Sequence, residues 1–417
     1  MEPVKAALIG AGQRGMLSYA PYAIDHPNEI QFVAVAEPNE IRRKEFARIH
    51  NIGEDMQFES WEQLLSKPRV CQAIFICTVD TEHYAPAIKA IEAGYDIMLE
   101  KPMSNSAEEC IEISKKAKEN NVRIIVCHVM RYTNFYQAIK QILNQGRIGE
   151  IVTIQHNENV GYWHYAHSYV RGNWRKTDES SPMIIAKSCH DLDMLNYLTG
   201  KRCLKISSFG GLKHFKKENA PEGSTLRCTD GCAVENQCPY SALKTYKPEA
   251  EWPTTVITND YTSEGVLNAL KTGPYGRCVY HCDNDVVDNQ VVNMEYEDGI
   301  TVSFVMNAFT DYGSARTLKI MGTMGQIRAI SGRAEIEVQD FRTGQIDVIK
   351  TQAGGVHGGG DVGIMRYFVQ VCRGKEIKPE NSIDFSLSSH LMGFAAEKSR
   401  IEGKMIDMHE YQDDLKG

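Results

Sequence analysis

The sequence predicts an α/β chain with two domains: a doubly wound parallel sheet over residues 1–130, then an α+β domain with a largely antiparallel sheet over residues 131–417. Three observations support this prediction. The chain has 417 residues, more than one hydrophobic core usually holds. Short apolar runs alternate with amphipathic stretches at its start, which is typical of a parallel sheet covered by helices. Longer stretches of alternating polar and apolar residues follow, as in antiparallel strands.

The first domain is predicted from five apolar runs, which we expect to form strands: Val4–Ile9, Ile30–Ala36, Ala73–Cys77, Asp96–Leu99 and Arg123–Val129. The amphipathic stretches between them predict helices over Gln13–Asp25, Asn39–His50, Glu82–Ala93 and Ser106–Asn120. Gly94 and the Asn120-Asn121 pair end two of these helices, because glycine and asparagine tolerate the left-handed conformation of a helix C-terminus.

The second domain begins with a predicted helix over Phe135–Leu143. Alternating patterns then predict strands over Ile151–Asn157, Val286–Tyr296, Thr301–Asn307, Ala315–Met321 and Ala334–Val338. A helix is expected near Ser188–Leu198, and others in the C-terminal third. Residues 214–276 are rich in Pro, Gly, Thr and Cys and lack a period, so we predict an insertion with little core of its own.

The composition excludes several kinds of partner. A net charge of −8 argues against nucleic acid, because phosphate binding needs a basic surface. No run approaches the roughly 20 apolar residues that cross a bilayer, and the N-terminus shows no secretion signal. We therefore expect a cytoplasmic protein with mostly reduced cysteines and with neither a nucleic-acid nor a membrane partner.

A glycine-rich motif follows the first predicted strand. Gly10, Gly12 and Gly15 keep the G-x-G-x-x-G spacing, in which the glycines make a tight turn, admit a pyrophosphate and pack a helix closely. Gln13 and Arg14 lie between them, at the start of a helix whose N–H groups would bind phosphates. The motif predicts a dinucleotide site; a plain glycine-rich turn is the alternative interpretation.

An acidic residue ends the next predicted strand. Glu37 lies where the ribose hydroxyls of a dinucleotide would bind, and its carboxylate would repel the 2′-phosphate of NADP. Arg42 and Arg43 follow closely and could weaken that preference. The sequence therefore predicts NAD as the cofactor, with NADP less favoured.

A lysine follows another apolar strand. Glu100-Lys101-Pro102 comes directly after Tyr95–Leu99 and places an ammonium group at the carboxyl end of that strand. In an open parallel sheet, cofactor and substrate meet at this edge. Together with the glycine motif, it predicts a nicotinamide oxidoreductase.

Further motifs carry a family resemblance. They are Ile76-Cys-Thr78-Val-Asp-Thr-Glu-His83, Ala90-Ile-Glu-Ala-Gly94, Glu100-Lys101-Pro102, Arg131-Tyr132 and Gly146-Arg-Ile-Gly149-Glu150. From Val4 to about Leu198, the chain resembles the Gfo/Idh/MocA oxidoreductases. The resemblance implies a Rossmann-type NAD-binding domain in which Thr78, His83 and Glu100 contact the cofactor. It also implies a second domain whose sheet closes the substrate pocket and mediates a homodimer or homotetramer.

The resemblance also implies a catalytic pair. Lys101 would touch both the nicotinamide and the substrate hydroxyl, while Pro102 fixes the turn that aims it inward. In the family's Asp-x-x-x-His pattern, His190 matches the base, but Ala186 stands in place of the aspartate. Lys187 would share a helix face with His190, where it could lower the pKa of the histidine or bind an anionic substrate group. A buried structural histidine and a solvated lysine are the alternatives.

An aromatic and basic stretch, Tyr162–Arg175, lacks a clear period and is predicted as a loop. Side chains of these types stack on sugar rings and hydrogen-bond hydroxyls or a carboxylate; the candidates are Trp163, His164, Arg171, Trp174 and Arg175. A packed loop or a subunit contact is the alternative. Near the C-terminus, a Gly-Gly-Gly run precedes a helix that Asp361 is expected to cap.

Cysteines cluster in and after the insertion. Cys228, Cys232 and Cys238 have the spacing C-x3-C-x5-C, and Cys278 and Cys282 follow. Such clustering in a reducing compartment suggests a structural zinc ion, for which the predicted ligands are Cys228, Cys232, Cys238 and Cys282. An iron–sulfur cluster is less favoured, and reduced or disulfide-paired cysteines are the alternative.

The predicted activity is hydride transfer between NAD and a secondary alcohol of a sugar, glycoside or sugar acid. A redox-neutral glycosidase or lyase is the second hypothesis: transient oxidation acidifies a neighbouring C–H, an aglycone is eliminated and the hydride returns. A non-catalytic NAD-binding regulator is the third, and the presence of both Lys101 and His190 argues against it.

Overall fold

Two sheets organise the chain. The structure, a computed structural model, describes residues 2–311, 315–352 and 356–415, without the side chains of Val356 and His357. One sheet has six strands and the other has nine. The first is parallel and the second mostly antiparallel, which confirms the predicted fold class.

The first sheet contains β1 (Val4–Ile9), β2 (Ile30–Ala36), β3 (Gln57–Phe58), β4 (Ala73–Ile76), β5 (Asp96–Leu99) and β6 (Ile124–Val126). Their order is β3-β2-β1-β4-β5-β6, and every adjacent pair is parallel. The order reverses between β1 and β4, so their carboxyl ends form the crevice where doubly wound sheets bind ligands.

Helices cover both faces of this sheet. They are a π-helix (Gln13–Tyr19) continuing into α1 (Ala20–Asp25), then α2 (Glu40–His50), α3 (Trp61–Leu65), α4 (Tyr84–Glu92) and α5 (Ala107–Glu119), with 3-10 turns at Glu54–Met56 and Asp80–Glu82. Asn39 caps α2 by accepting the Arg42 N–H. Gly94 follows α4 with φ +75°, as the sequence predicts.

The second sheet contains β7 (Ile151–Gly161), β8 (Cys203–Gly211), β9 (Asn289–Tyr296), β10 (Thr301–Thr310), β11 (Ala315–Gly322), β12 (Gly325–Ile330), β13 (Glu335–Asp340), β14 (Ile346–Lys350) and β15 (Ile406–Asp407). Their order is β14-β13-β12-β11-β7-β10-β9-β8-β15, in which only the pair of β10 and β7 is parallel among the described strands. Alternate residues of β7 are buried, so one face of the sheet covers a core and the other is open.

The helices of the second part are α6 (Asn134–Asn144), α7 (Tyr162–Tyr165), α8 (Met183–Ala186), α9 (Cys189–Thr199), α10 (Ala242–Thr245), α11 (Thr254–Ile257), α12 (Ser263–Thr272), α13 (Gly360–Cys372), α14 (Ile383–Glu402) and α15 (Met408–Asp414). A π-helix (Ala166–Arg171) continues α7, and 3-10 turns lie at Val129–Tyr132, Lys217–Asn219, Glu235–Gln237, Pro274–Gly276, Glu297–Gly299, Ser331–Arg333, Val356–Gly359 and Pro379–Asn381. The loop predicted over the aromatic stretch is therefore wrong for its first ten residues. A π-helix has no 3.6-residue period, so it leaves no helical pattern in the sequence.

Hydrophobic cores against both sheets hold the molecule together. Helix α13 belongs to the core of the first sheet, where Phe368 packs edge-on against Phe75 with ring centroids 5.3 Å apart. Helices α9 and α14 cover the inner face of the second sheet. The insertion has a small core of its own, formed by Ala242, Tyr246, Val266 and Leu270. No helix in the described ranges is long and apolar enough to cross a membrane.

Candidate active site

The glycine loop lies at the crevice and is shaped by backbone packing. Gly10 has φ +90°, and a Cβ there would lie 2.7 Å from the Cys77 carbonyl group. A Cβ on Gly15 would lie 2.5 Å from the Gly10 oxygen. At Gly12, by contrast, an added Cβ would meet nothing within 4 Å. The loop is therefore closed on its protein side and open at Gly12, where a pyrophosphate is expected, and the exposed Gln13 begins the helix beside it.

Glu37 is buried beside this loop. Its carboxylate accepts hydrogen bonds from the Ala11 N–H at 2.7 Å and from the Asn39 N–H at 2.9 Å. Arg43 donates to the Glu37 carbonyl at 2.7 Å and pairs with Glu59, so it is held away from the carboxylate. A fixed carboxylate therefore stands at the end of β2, as the sequence predicts.

Arg14 and Glu100 form an ion pair in which Glu100 is buried and Arg14 is partly exposed. Arg14 donates to Glu100 at 2.6 Å and to Asp361 at 2.9 Å. Burial alone would raise the pKa of Glu100, but the charges of Arg14 and Lys101 and a hydrogen bond from Tyr19 lower this pKa to about 2. The N-cap of α13 is Gly359 and Asp361 lies in the first turn, so the predicted cap at Asp361 is wrong; the Asp361 carboxylate joins α13 to the glycine loop.

Thr78 and His83 fix the turn after β4. The Thr78 hydroxyl donates to the Glu82 carbonyl at 2.8 Å. The ring nitrogens of His83 lie 2.6 Å from the Pro102 oxygen and 3.2 Å from the Thr78 oxygen. His83 therefore connects the turns that follow β4 and β5, side by side at the crevice.

Lys101 joins the two halves of the site. Its Nζ donates a hydrogen bond of 2.8 Å to the carbonyl oxygen of Ala186, the last residue of α8. His190 lies in the first turn of α9, four residues further on, and is 9% exposed. The predicted lysine and histidine are thus brought to the same region, and a backbone carbonyl meets Lys101 where the family pattern has an aspartate.

Lys187 and His190 do not share one continuous helix, so the predicted common face is wrong. Helix α8 ends at Ala186 and α9 begins at Cys189. The Lys187 N–H donates the last hydrogen bond of α8, to the Met183 carbonyl. The hydrogen bonds of α9 begin at the Ser188 carbonyl. The Lys187 ammonium instead lies 3.9 Å from a carboxylate oxygen of Glu158 in β7.

That carboxylate belongs to a buried ionic network, in which Arg316 of β11 bridges Glu158 at 2.5 Å and Asp191 at 2.6 Å. The His156 ring also lies 2.7 Å from Asp191. Burial would raise the pKa of Asp191, but Arg316 and His156 lower it to about 2. Burial raises the pKa of Glu158 and lowers that of Lys187. In this network, two cations, Lys187 and Arg316, therefore balance two carboxylates, Glu158 and Asp191.

A row of buried histidines runs from His190 into the protein. The ring of His128 lies 6.1 Å from that of His190 and 5.5 Å from that of His390. Asp193 lies 3.6 Å from His128 and accepts a hydrogen bond of 2.7 Å from Arg131. Burial lowers the pKa of His128 well below its ordinary value. No local pattern predicts this row, because its members lie in three separate segments of the chain.

The helix formed by α7 and the π-helix, here called the aromatic helix (residues 162–171), contacts the insertion beside the ionic network. The Trp163 and His164 rings lie 5.2 Å and 5.0 Å from the Trp252 ring, respectively. The His167 ring stacks on Tyr275 at 4.9 Å. Burial, and then the charge of Lys187, lowers the pKa of His164 well below its ordinary value. Trp252 was not among the predicted residues, because it lies in the aperiodic insertion.

The other predicted substrate residues make structural contacts. The Trp174 ring N–H donates to Asp80, 3.1 Å away in the turn after β4. Arg175 pairs with Asp283 at 2.9 Å. Arg171 is 1% exposed and donates to the carbonyls of Arg277 and Tyr240, both at 2.7 Å. Arg171 therefore joins the end of the π-helix to Tyr240 of the insertion, whereas Arg175 pairs with a residue that follows the insertion.

Four cysteines line a cavity of about 20 Å³ in the insertion: Cys228, Cys232, Cys238 and Cys278. Cys282 does not line it; its thiol donates to the Cys278 carbonyl at 3.3 Å. All twelve cysteines are free thiols. Within residues 2–311, 315–352 and 356–415, no three His, Cys, Asp or Glu side chains are gathered closely enough to hold a metal ion. The zinc site therefore stays a prediction.

Two family models cover most of the chain. Residues 4–128 match the oxidoreductase family with an NAD-binding Rossmann fold, and residues 140–359 match the C-terminal alpha/beta domain of the same family. The first match contains the glycine loop, Glu37 and Lys101, and the second contains Lys187, His190 and the ionic network.

Individual proteins are similar over different lengths. YteT of Bacillus subtilis (strain 168) is 23% identical over 356 residues, which is 80% of each chain. The 2,7-anhydro-N-acetylneuraminate hydratase of Escherichia coli (strain K12) is 27% identical over 39% of this chain, and the match spans only 43% of that enzyme. Levoglucosan dehydrogenase, solved with NADH and levoglucosan, has the same fold, with a TM-score of 0.73, 18% identity and coverage of 98% of this chain and 100% of that chain.

Proposed function

The chain belongs to the Gfo/Idh/MocA oxidoreductase family, and on that premise we propose that it oxidises a secondary alcohol of a sugar, glycoside or sugar acid. The protein is an NAD-dependent oxidoreductase. The hydrogen bond of 2.8 Å between Lys101 and the Ala186 carbonyl carries the proposal. This bond holds the Lys101 ammonium group, at the carboxyl edge of the parallel sheet, against the segment that leads from α8 to His190.

The cofactor cradle fits NAD. The space at Gly12 is open, and the helix beginning at Gln13 offers N–H groups to the pyrophosphate. Glu37 stands at the end of β2, where the adenosine ribose would bind. When bound, the nicotinamide supplies the acceptor for the hydride. The fixed carboxylate of Glu37 and the engagement of Arg43 both support NAD over NADP.

Lys101 and His190 handle the hydroxyl proton. An ammonium group has three N–H donors, and one of those on Lys101 is used by the Ala186 carbonyl. A second donor holds the substrate oxygen and stabilises the negative charge that develops there. His190 takes the hydroxyl proton as the C–H bond breaks, and its near-complete burial excludes competing water.

Aromatic side chains form the sugar-binding wall of the pocket. Trp163 and Trp252 pack at 5.2 Å, and Trp252 is 40% exposed, so it presents a ring to the solvent side. Such surfaces stack on the apolar faces of sugars. Lys187 and His164 lie beside this wall and would bind hydroxyl or carboxylate oxygens of the substrate.

The test is turnover with NAD and a panel of free sugars, sugar acids and aryl glycosides, following NADH and released aglycone together. Steady NADH accumulation with one class of sugar is the expected result. A His190→Asn variant should bind NAD normally and lose turnover, whereas His409→Asn, at an exposed position of α15, serves as the matched control. NAD binding without turnover on any sugar would contradict the proposal and favour a regulator.

A redox-neutral reaction is the second candidate function. Ala186 in place of the aspartate and the similarity to the anhydro-sugar hydratase favour it. In this reaction the alcohol is oxidised, the neighbouring C–H loses its proton, a leaving group departs and the hydride returns to the same carbon. Aglycone release without net NADH would identify this reaction in the same assay.

Three further predictions concern the state of the protein. A homodimer or homotetramer and a cytoplasmic location rest on the sequence, and light scattering of the purified protein tests the first. The prediction of a structural zinc ion in the insertion rests on the clustering of the cysteines.

A further inference from the structure

The cavity in the insertion brings cysteines from two distant segments together. The Cys228 N–H bonds to the Gly276 carbonyl, and the Cys278 N–H bonds to the Leu226 carbonyl, both at 2.9 Å. An antiparallel bridge between Arg227 and Arg277 lies between these bonds. The two cysteines flank the bridged pair on the same face of the ladder, because neighbours of a bridged residue point away from its own side. Cys232 and Cys238 complete the cavity wall.

A buried cation beside the cavity lacks a counter-charge. The Arg171 guanidinium is almost fully buried, and its hydrogen bonds run to two carbonyl oxygens and, at 3.8 Å, to the Cys228 Sγ. Its Nη1 has no hydrogen-bond partner, and no carboxylate pairs with it within the described parts of the chain. Buried charges are normally paired, because isolated ions are costly to remove from water.

We infer that Cys228, Cys232, Cys238 and Cys278 bind one zinc ion as thiolates. Zinc with four thiolates carries a net charge of −2, which would supply the counter-charge that Arg171 lacks and leave one negative charge over. The Ala242 N–H also points at the Cys228 Sγ, at 3.4 Å, as N–H donors do around metal-bound sulfur. A cavity of about 20 Å³ has room for a single ion.

The ligand set differs from the one predicted by spacing alone. Cys282 directs its thiol to the Cys278 carbonyl and lies outside the cavity wall. The four lining thiols are not gathered on one point, so ligation requires them to turn inward. A cysteine has a single side-chain torsion with three staggered positions, so each Sγ can swing without moving the backbone.

The zinc ion would also position the aromatic helix. Arg171 is the last residue of the π-helix that continues Tyr162–Tyr165, and it connects that helix to Cys228. This consequence rests on the proposed function: loss of zinc should raise the KM for the sugar while NAD affinity stays unchanged. Arg171 acts here as a positioning residue, through the cysteine that it contacts.

The zinc content of full-length protein from zinc-supplemented cultures tests the inference. Wild type and Cys282→Ser should each hold about one zinc ion per chain by elemental analysis, whereas Cys278→Ser should hold little. Arg171→Met should weaken zinc affinity about 10- to 100-fold in competition with a chromogenic chelator. If Cys278→Ser retains zinc, if Cys282→Ser loses it, or if the wild type holds none, the inference is overturned.

Cobalt substitution keeps the inference testable if a serine variant fails to fold. Cobalt(II) added to metal-free wild type should give the intense visible bands and sulfur charge-transfer absorption of a tetrahedral four-thiolate site. A spectrum without thiolate bands, or the absorption of an iron–sulfur cluster in the purified protein, would overturn it. These readouts do not use a sugar, so a failed turnover assay leaves them unaffected.

Discussion

The two halves of the candidate site are built in different ways. In the first domain, the glycine loop is shaped by contacts between backbone atoms, such as the 2.7 Å that would separate a Gly10 Cβ from the Cys77 carbonyl. In the second domain, the site contains a network of side-chain charges. Arg316 bridges Glu158 and Asp191 there, and the three residues lie on three separate elements. The cofactor half should therefore be sensitive to an added carbon atom, and the substrate half to a lost charge.

This difference follows from what each half must bind. A dinucleotide presents a constant pyrophosphate, which backbone N–H groups can hold without any particular side chain. A sugar presents hydroxyls at positions that differ between substrates, so side chains must be placed individually. Lys101 lies where the two halves meet, because its backbone belongs to the first and its hydrogen bond goes to the second.

The largest effect is expected at Lys101. Lys101→Met should lower kcat by about 10²- to 10⁴-fold, because it removes the group that stabilises and relays the substrate proton. The dissociation constant for NAD should rise far less, since the glycine loop and Glu37 are intact and only a contact with the nicotinamide is lost. Steady-state kinetics and calorimetric titration with NAD measure the two quantities.

Lys115→Met is the matched control, because Lys115 lies exposed on α5 and pairs only with Glu119 among the described residues. It should leave both quantities unchanged. A loss of NAD affinity in Lys101→Met as large as its loss of kcat would show that the two halves are not separable at this residue.

The second effect tests the charged half. Arg316→Met leaves Glu158 and Asp191 buried without their counter-charge, so the free energy of unfolding should fall by about 3–5 kcal/mol in urea denaturation. The neighbouring Arg328→Met breaks an exposed pair with Glu337 on the same sheet and should cost about 0–1 kcal/mol. An equal loss of unfolding free energy in the two variants would mean that the buried network does not stabilise this half of the site.

The third effect tests the backbone half, with two glycines two residues apart. Gly10→Ala places a methyl group against a carbonyl at a left-handed φ, so it should destabilise the fold by about 1–3 kcal/mol. Gly12→Ala has room for its methyl group and should fold normally. It should nevertheless bind NAD at least about tenfold more weakly, a difference of 1.4 kcal/mol, because the methyl group occupies pyrophosphate space. Unchanged NAD affinity in Gly12→Ala would exclude the loop as the cradle.

The same contrast explains what could be read from the sequence. The glycine loop, Glu37 and Lys101 are set by short segments following predicted strands, so their patterns locate them. Glu158, Asp191 and Arg316 are ordinary residues in local sequence. The register of β7 and β11 pairs Arg316 with Glu158, and the packing of α9 brings Asp191 to Arg316. The spacing of the cysteines does not single out Cys278 for the same reason, because a backbone ladder brings Cys278 to the cavity.

The smallest expected effect concerns a histidine that joins the halves. His390 of α14 accepts a hydrogen bond from the Met103 N–H at 3.0 Å, and its other nitrogen lies 2.7 Å from the Ser386 carbonyl. Burial lowers the pKa of His390 to about 4, whereas an unfolded histidine titrates near 6.5. The folded state therefore binds fewer protons, so His390 should reduce stability progressively as pH falls from 6.5 to 4.

His390→Gln removes this titration. Between pH 6.5 and 4, its free energy of unfolding should fall less steeply than that of the wild type, by up to about 1.4 kcal/mol per pH unit. Urea denaturation across this range measures both slopes, with the exposed His409→Gln as control. Parallel slopes for His390→Gln and wild type would contradict this prediction. They would mean that groups other than His390 set the pH dependence of the free energy of unfolding in this range.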